Sequence, residues 1–256
     1  MSLERQAAPA PEPAQPGGGL EPAVGDHRLQ ILTTEHWSLL ATRSLTWNES
    51  FSRVSMFLSV LSGAIVALAL VAQAADFRGG FLAFAIPLLS VVLFVGLATF
   101  GRVSAINNED SLWVTGMNRI RHGYLEIEPT LGRYFVTGST DDLRGALVTA
   151  GFFDVNAAPT AFSLGALAHG MTTIPGMLAV IVGVVGGALA AVIAVALGTS
   201  EAIALVAGVV GFLVVFVGLS VRGYRTFASL ERHLKPEFPT PRTGDGRGGP
   251  EVGESA

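Results

Sequence analysis

The sequence predicts an all-α membrane protein, with four transmembrane helices as two tight hairpins and cytoplasmic helical extensions. Three observations carry that reading. Four apolar runs free of Asp, Glu, Lys and Arg occupy residues 54–75, 81–100, 174–197 and 202–221. Each matches the roughly 20 helical residues needed to cross a hydrocarbon core about 30 Å thick. Half of the 256 residues are hydrophobic and only 14% are charged, against about 25% charged in a soluble domain. Within each pair of runs the connection is short, Asp76–Gly80 in the first and Gly198–Glu201 in the second, which allows only a reversal of direction.

Residues 1–26 are rich in Pro, Ala, Gly and Gln and lack the apolar stretch of a secretory signal. They read as a disordered tail, too poor in apolar surface to offset the entropy of ordering, so the first span acts as an uncleaved anchor. Residues 27–128 form one unit around the first hairpin. His27–Arg53 contains no Pro or Gly, and Leu29, Leu32, Trp37, Leu40 and Leu45 give an approximate helical spacing. Beyond the second span, Arg102–Glu126 again reads as helix, with Ile106, Leu112, Trp113, Met117 and Ile120 as its apolar positions. Gly116 is expected to weaken that helix and Gly123 to fray it. Pro87 predicts a kink in the second span. The two extensions should lie side by side as a short stalk.

Residues 129–170 are divided by Pro129, Gly132, Gly138, Gly151 and Pro159 and read as a cytoplasmic linker with short amphipathic helices. Ser139-Thr140-Asp141-Asp142 resembles a helix start, with hydroxyl and carboxylate caps. Residues 171–235 hold the second hairpin and a short helix after it. Gly198 and Ser200 fit C-cap and N-cap chemistry. Residues 236–256 read as a second disordered tail.

Basic residues set the orientation. Of sixteen Lys and Arg, Arg78 alone lies between paired spans. The others precede span one, follow span two or follow span four, which puts both termini and the central segment in the cytoplasm. The excess of Arg over Lys, with abundant Ala and Gly, points to a bacterial source and hence to the inner membrane.

Several function classes are excluded or disfavoured. No Cys is present, so disulfides, thiolate metal sites and Cys nucleophiles are ruled out. His27, His36, His122, His169 and His233 show no metal-ligand spacing, and no nucleophile motif or phosphate-binding loop is present. Gly244, Gly246 and Gly249 match a dinucleotide-binding spacing by chance in a tail. The reading is a non-enzyme, with no catalytic residue, cofactor, metal or nucleic-acid partner. The spans contain only Ser, Thr and Gln73 as polar side chains, which argues against a small transporter.

Two features carry function or structure. Trp47, Asn48, Glu49 and Arg53 precede span one, while Asn107, Asn108, Glu109, Asp110 and Trp113 follow span two, facing them across the hairpin. They predict an interhelical network, with Glu49 paired to an arginine opposite and Asn48 to Asn107 or Asn108; the competing reading is a plain interfacial belt. Arg119 and Arg121, in Met117–Tyr124, extend this set as an anionic-lipid or phosphate-binding surface, or as a solvated helix face. In span three, Ala179, Gly183, Gly187 and Ala191 make a small-residue ridge, with Gly208 and Gly211 of span four as its partner. Val185 is expected on the far, tolerant face.

The first half, about Leu29–Tyr124, resembles the bacterial two-transmembrane helical modules of the SLATT type, through its architecture and the Trp47–Arg53 and Asn107–Tyr124 segments. The resemblance implies long cytoplasmic helices around a membrane hairpin and a membrane-effector role, including pore formation, in bacterial conflict systems. The leading expectation is a multi-pass protein whose cytoplasmic helices mediate protein interaction or signalling. An oligomeric pore-forming effector is the alternative. The partners expected are the lipid bilayer, a cytoplasmic protein and further copies of the chain.

Overall fold

The computed structural model describes residues 24–75, 79–149, 173–233 and 235–241. Within them the chain is mostly helical and holds no strand, with four long apolar helices of a length and composition able to cross a membrane. Helix α1 spans Val24–Ala75 and α2 spans Gly79–Ile127. A 3-10 turn at Pro129–Tyr134 and the short helix α3, Leu143–Thr149, follow. Helices α4, Ile174–Ala196, and α5, Glu201–His233, complete the set. The tail expected over residues 1–26 is corrected at its end, since 24–26 belong to α1; residues 1–23, the first connection 76–78, the linker residues 150–172 and the expected tail beyond 241 lie outside the described residues.

Helices α1 and α2 have 52 and 49 residues, about 75 Å each at 1.5 Å per residue. Both therefore run far past the thickness of a bilayer. They pack antiparallel: Phe57 lies against Gly96, Leu39 against Gly116 and Leu32 against Gly123. The inward positions of α2 alternate by four and three residues, from Ala85, Leu89 and Val92 down to Met117, Ile120 and Tyr124. That is a 3.5-residue repeat, the seam of a two-helix coiled coil. Helix α2 stays helical through Pro87, Gly116 and Gly123. The expected weakening at Gly116 and fraying at Gly123 are corrected. Each glycine is a seat for a leucine from α1, whose methyl would lie 3.1 Å from an added Cβ.

The facing seam of α1 also departs from expectation. Leu32, His36, Leu39, Arg43, Thr46 and Ser50 are buried or half-buried, whereas Leu29, Trp37, Leu40 and Leu45 are exposed. Of the expected apolar positions Leu32 lies on the seam and the other four do not, because the true seam also carries His, Arg, Thr and Ser.

Helix α4 is central, packed on α2 through one face and on α5 through another. Phe57, Val92 and Val182 are almost wholly buried at the junction of the two helix pairs. An added Cβ at Gly96 would lie 2.8 Å from Val182 Cγ2 and 3.0 Å from the Phe57 ring, so this glycine sets how closely α4 approaches. On the other face, the ridge meets α5 directly. An added Cβ at Gly187 would lie 2.6 Å from the Gly208 carbonyl oxygen, one at Gly211 2.6 Å from Ala190 Cβ, one at Gly208 3.3 Å from Ala191 Cβ, and one at Gly183 3.1 Å from the Phe212 ring. Ala179 is buried beside them. Val185 is buried in the core, which corrects its assignment to a tolerant face: α4 has neighbours on both sides.

The α4–α5 reversal is built from backbone bonds. Gly198 takes φ +76°, its N–H donates to Val195 O at 2.9 Å, and the Thr199 N–H donates to Ala194 O at 3.3 Å. This pair of bonds is the Schellman cap, which uses a left-handed residue that glycine adopts without Cβ strain. The hydroxyls of Ser59, Ser90, Thr99 and Ser220 each donate to the carbonyl four residues earlier in their own helix, so they present no polar lining between the apolar helices.

Candidate functional site

The polar chemistry gathers where α1 and α2 continue beyond the apolar packing. Antiparallel pairing brings residues equally far from the reversal face to face. Glu49 thereby meets Arg102. Arg102 Nε donates to Glu49 Oε1 at 2.9 Å and Nη2 to Oε2 at 3.0 Å. Arg53 Nε donates to the same Oε1 at 2.8 Å, and Arg102 Nη1 reaches Glu109 Oε1 at 3.0 Å. The bidentate Arg102 guanidinium, followed by Arg53, holds the Glu49 carboxyl down to about 2. Arg102 is raised in turn, chiefly by Glu49. Parallel fork-on-carboxylate bonds of this kind fix orientation as well as charge.

Two turns further on, Arg43 forks onto Asp110 through Nε at 2.7 Å and Nη2 at 3.2 Å. Trp47 Nε1 donates to the same carboxylate at 3.1 Å. Arg43 and Asp110 occupy inward positions of the seam, and a polar pair there admits one register and penalises every slip. At the far end Arg28 pairs with Glu126. Asn48 and Asn107 are exposed, and among the described residues no hydrogen bond joins Asn48 to Asn107 or Asn108, contrary to expectation. Trp113 turns inward with its Nε1 buried and unpartnered among the described residues.

Arg119 and Arg121 do not join the Glu49 network. Arg119 Nε donates to Asp141 Oδ2 at 2.7 Å and its Nη2 to the Lys235 carbonyl at 3.0 Å. Asp141, whose side chain is fully shielded, also accepts from the Glu237 and Phe238 amides, each at 2.8 Å. Burial pushes its carboxyl up, but those amides and Arg119 overcome it and hold the group below its usual range. Asp142 works as the expected cap of α3, accepting from the Gly145 N–H at 3.0 Å, and also takes the Thr240 amide and hydroxyl, both at 3.0 Å. Phe238 stacks on His122 with ring centroids 4.0 Å apart. Residues 235–241 are thus strapped to α2 and the linker, which corrects the expected tail over 236–241. Asn118, wholly buried, ties this corner together by donating to Thr140 O and accepting from Arg121 and Thr149, each at 2.8 Å.

Sequence reasoning expected an arginine opposite Glu49 without naming Arg102, held Asp110 and Asn118 only within their polar segments, and missed Arg43 and the strap. The ion pairs were detectable in principle: charged residues of opposite sign at matched distances from a reversal. The strap left no such signal, since its donors are backbone amides. Among the described residues no group of His, Asp and Glu is arranged to hold a metal ion. No protein-family model, no curated protein and no solved structure matches the chain.

Proposed function

We propose that this chain is a non-enzymatic multi-pass protein of a bacterial inner membrane. In this reading α1–α2 and α4–α5 form two membrane hairpins, both termini are cytoplasmic, and the α1–α2 extension is a rigid cytoplasmic stalk that engages other proteins. One observation carries it: among the described residues the ion pairs all lie on the α1–α2 extension and the linker held against it, while α4 and α5 close on each other glycine to carbonyl. Such closure leaves no polar path within one copy, which favours a platform over a carrier. The stalk also exposes Trp37 and Leu40, and exposed aromatic anchors are characteristic of docking faces.

Two measurements test the reading. In a chain without native Cys, cysteines at Arg78 and Thr199 should react with an impermeant maleimide on intact cells, and those at Ser44 and Arg242 should not. Photo-cross-linkers at Trp37 and Leu40 should capture a soluble partner. A purified chain that conducts ions in planar bilayers, with cross-links only between copies, would replace the platform by the pore-forming effector that the SLATT resemblance implies.

A further inference from the structure

From Pro236 to Pro241 the strap places its backbone donors and its prolines in a pattern that matches its seat. Three residues of that stretch carry a backbone N–H: Glu237, Phe238 and Thr240. All three are bound. The first two donate to Asp141 Oδ2 and Oδ1, each at 2.8 Å, and the third to Asp142 Oδ2 at 3.0 Å. Pro236, Pro239 and Pro241 fall where the seat takes no amide, and proline has none to leave unpaired. Two carbonyls are held as well: Phe238 O accepts from the Asp141 N–H at 3.2 Å, and Lys235 O from Arg119 Nη2 at 3.0 Å. Side chains add two grips, the Phe238 ring on His122 at 4.0 Å and the Thr240 hydroxyl on Asp142 Oδ1 at 3.0 Å.

The seat has supports of its own. Arg119 Nε holds Asp141 at 2.7 Å, the Gly145 N–H holds Asp142 at 3.0 Å, and Asn118 fixes the neighbouring Thr140 carbonyl at 2.8 Å. These donors come from α2 and α3, not from the strap. The strap lies on the surface: Lys235, Pro236, Glu237, Pro239 and Pro241 are exposed, and Phe238 and Thr240 are half-buried. Prolines restrict such a segment before it docks, which lowers the entropy lost on binding. A ready-made seat that takes the main chain of a stiff, extended segment, with one aromatic anchor, is how peptides are recognised.

We propose that Asp141, Asp142, Arg119 and His122 form a peptide-recognition site, which the chain's own residues 235–241 occupy as a detachable latch. Its ligand is an extended protein segment with an aromatic residue at the Phe238 position, a hydroxyl residue two places on, and proline only where the seat takes no amide. Closed, the latch ties the end of α5 to the stalk. A partner segment of the same pattern takes its place and frees that end. Neither the Trp37 face nor the orientation in the membrane enters, so failure here leaves the proposed function standing.

The test uses the full chain in neutral phosphatidylcholine nanodiscs and a fluorescent peptide of residues 235–241, with binding read by anisotropy. Phe238→Pro combined with Thr240→Pro vacates the seat in the full chain. The pair removes two amide donors, the ring and the hydroxyl, and alters no residue of the seat. This vacated chain should bind the peptide saturably. The native chain should bind it more weakly by about tenfold or more, because its own segment competes at a millimolar effective concentration. Asp141→Asn in the vacated chain should weaken binding about tenfold or more, as expected for losing a charged acceptor. Peptides carrying Phe238→Ala or Glu237→Pro should lose as much, which keeps the test decisive if Asp141→Asn does not fold. Arg133→Gln, on an exposed residue outside the seat, should leave binding unchanged. No saturable binding to the vacated chain, equal binding to the native and vacated chains, or undiminished binding of the altered peptides would each overturn the site.

Discussion

Gly187→Ala isolates the close approach of α4 and α5. The added methyl carbon would lie 2.6 Å from the Gly208 carbonyl oxygen and 3.1 Å from Phe212 Cβ, where ordinary contact begins near 3.4 Å. Backbone oxygen cannot rotate away, so the helices must part locally by roughly 0.8 Å. A gap of that size forfeits about a quarter to a half of each neighbouring contact's attraction, and overpacking of this kind costs about 1–3 kcal/mol. Alanine regains about 0.8–1 kcal/mol over glycine in helix propensity. The net expectation is a loss of up to about 2 kcal/mol, against a gain where the glycine has room. Gly63→Ala and Gly218→Ala provide the control, because an added Cβ meets nothing within 4 Å at either site. There propensity acts alone and stability should rise by up to about 1 kcal/mol. Reversible unfolding in mixed micelles, followed by circular dichroism, reads all three. Equal changes of one sign at Gly187 and Gly218 would refute the packing argument, since space at the glycine would then decide nothing.

Val185→Leu, in the buried core between helices, should destabilise by about 1–3 kcal/mol through overpacking; the same assay measures it, and neutrality would return Val185 to an outer face. Glu49 has its carboxyl lowered from 4.5 to about 2, so its contribution is present above its unfolded value and lost as pH falls from about 4.5 towards 2. Urea unfolding between pH 6 and 2 should show that loss in the native chain and less of it in Glu49→Gln. Asp141→Asn should free the strap, with the Glu237 and Phe238 amides exchanging hydrogen about tenfold faster or more, as expected for losing a bond to a charged acceptor. Unchanged exchange would mean that the strap is held by the His122–Phe238 stack and the Asp142 bonds instead.

Sequence alone determined the four apolar helices and the connections that fold them back. Length without charge is a one-dimensional property, and helix is the form in which an apolar segment satisfies its own backbone. The turn chemistry at Gly198 was equally legible, because a left-handed cap is a local requirement. The ridge of Ala179, Gly183, Gly187 and Ala191 could be read as a face, since spacing by four places residues on one side of a helix. What it met could not be read, because that depends on how α5 returns.

Tertiary structure decided the rest. The seam of α1 runs through His36, Arg43, Thr46 and Ser50, polar residues that become inward-facing only because α2 supplies Asp110 and other partners. A polarity pattern therefore pointed to Trp37 and Leu40, which are exposed. Val185 carries the same lesson in reverse, since its burial comes from a neighbour that its own helix does not encode. The strap over Asp141 is held by amide groups contributed from residues 237 and 238. Every residue but proline carries such a donor, so composition cannot mark the pair that will be used; only the return of the chain to α2 selects it.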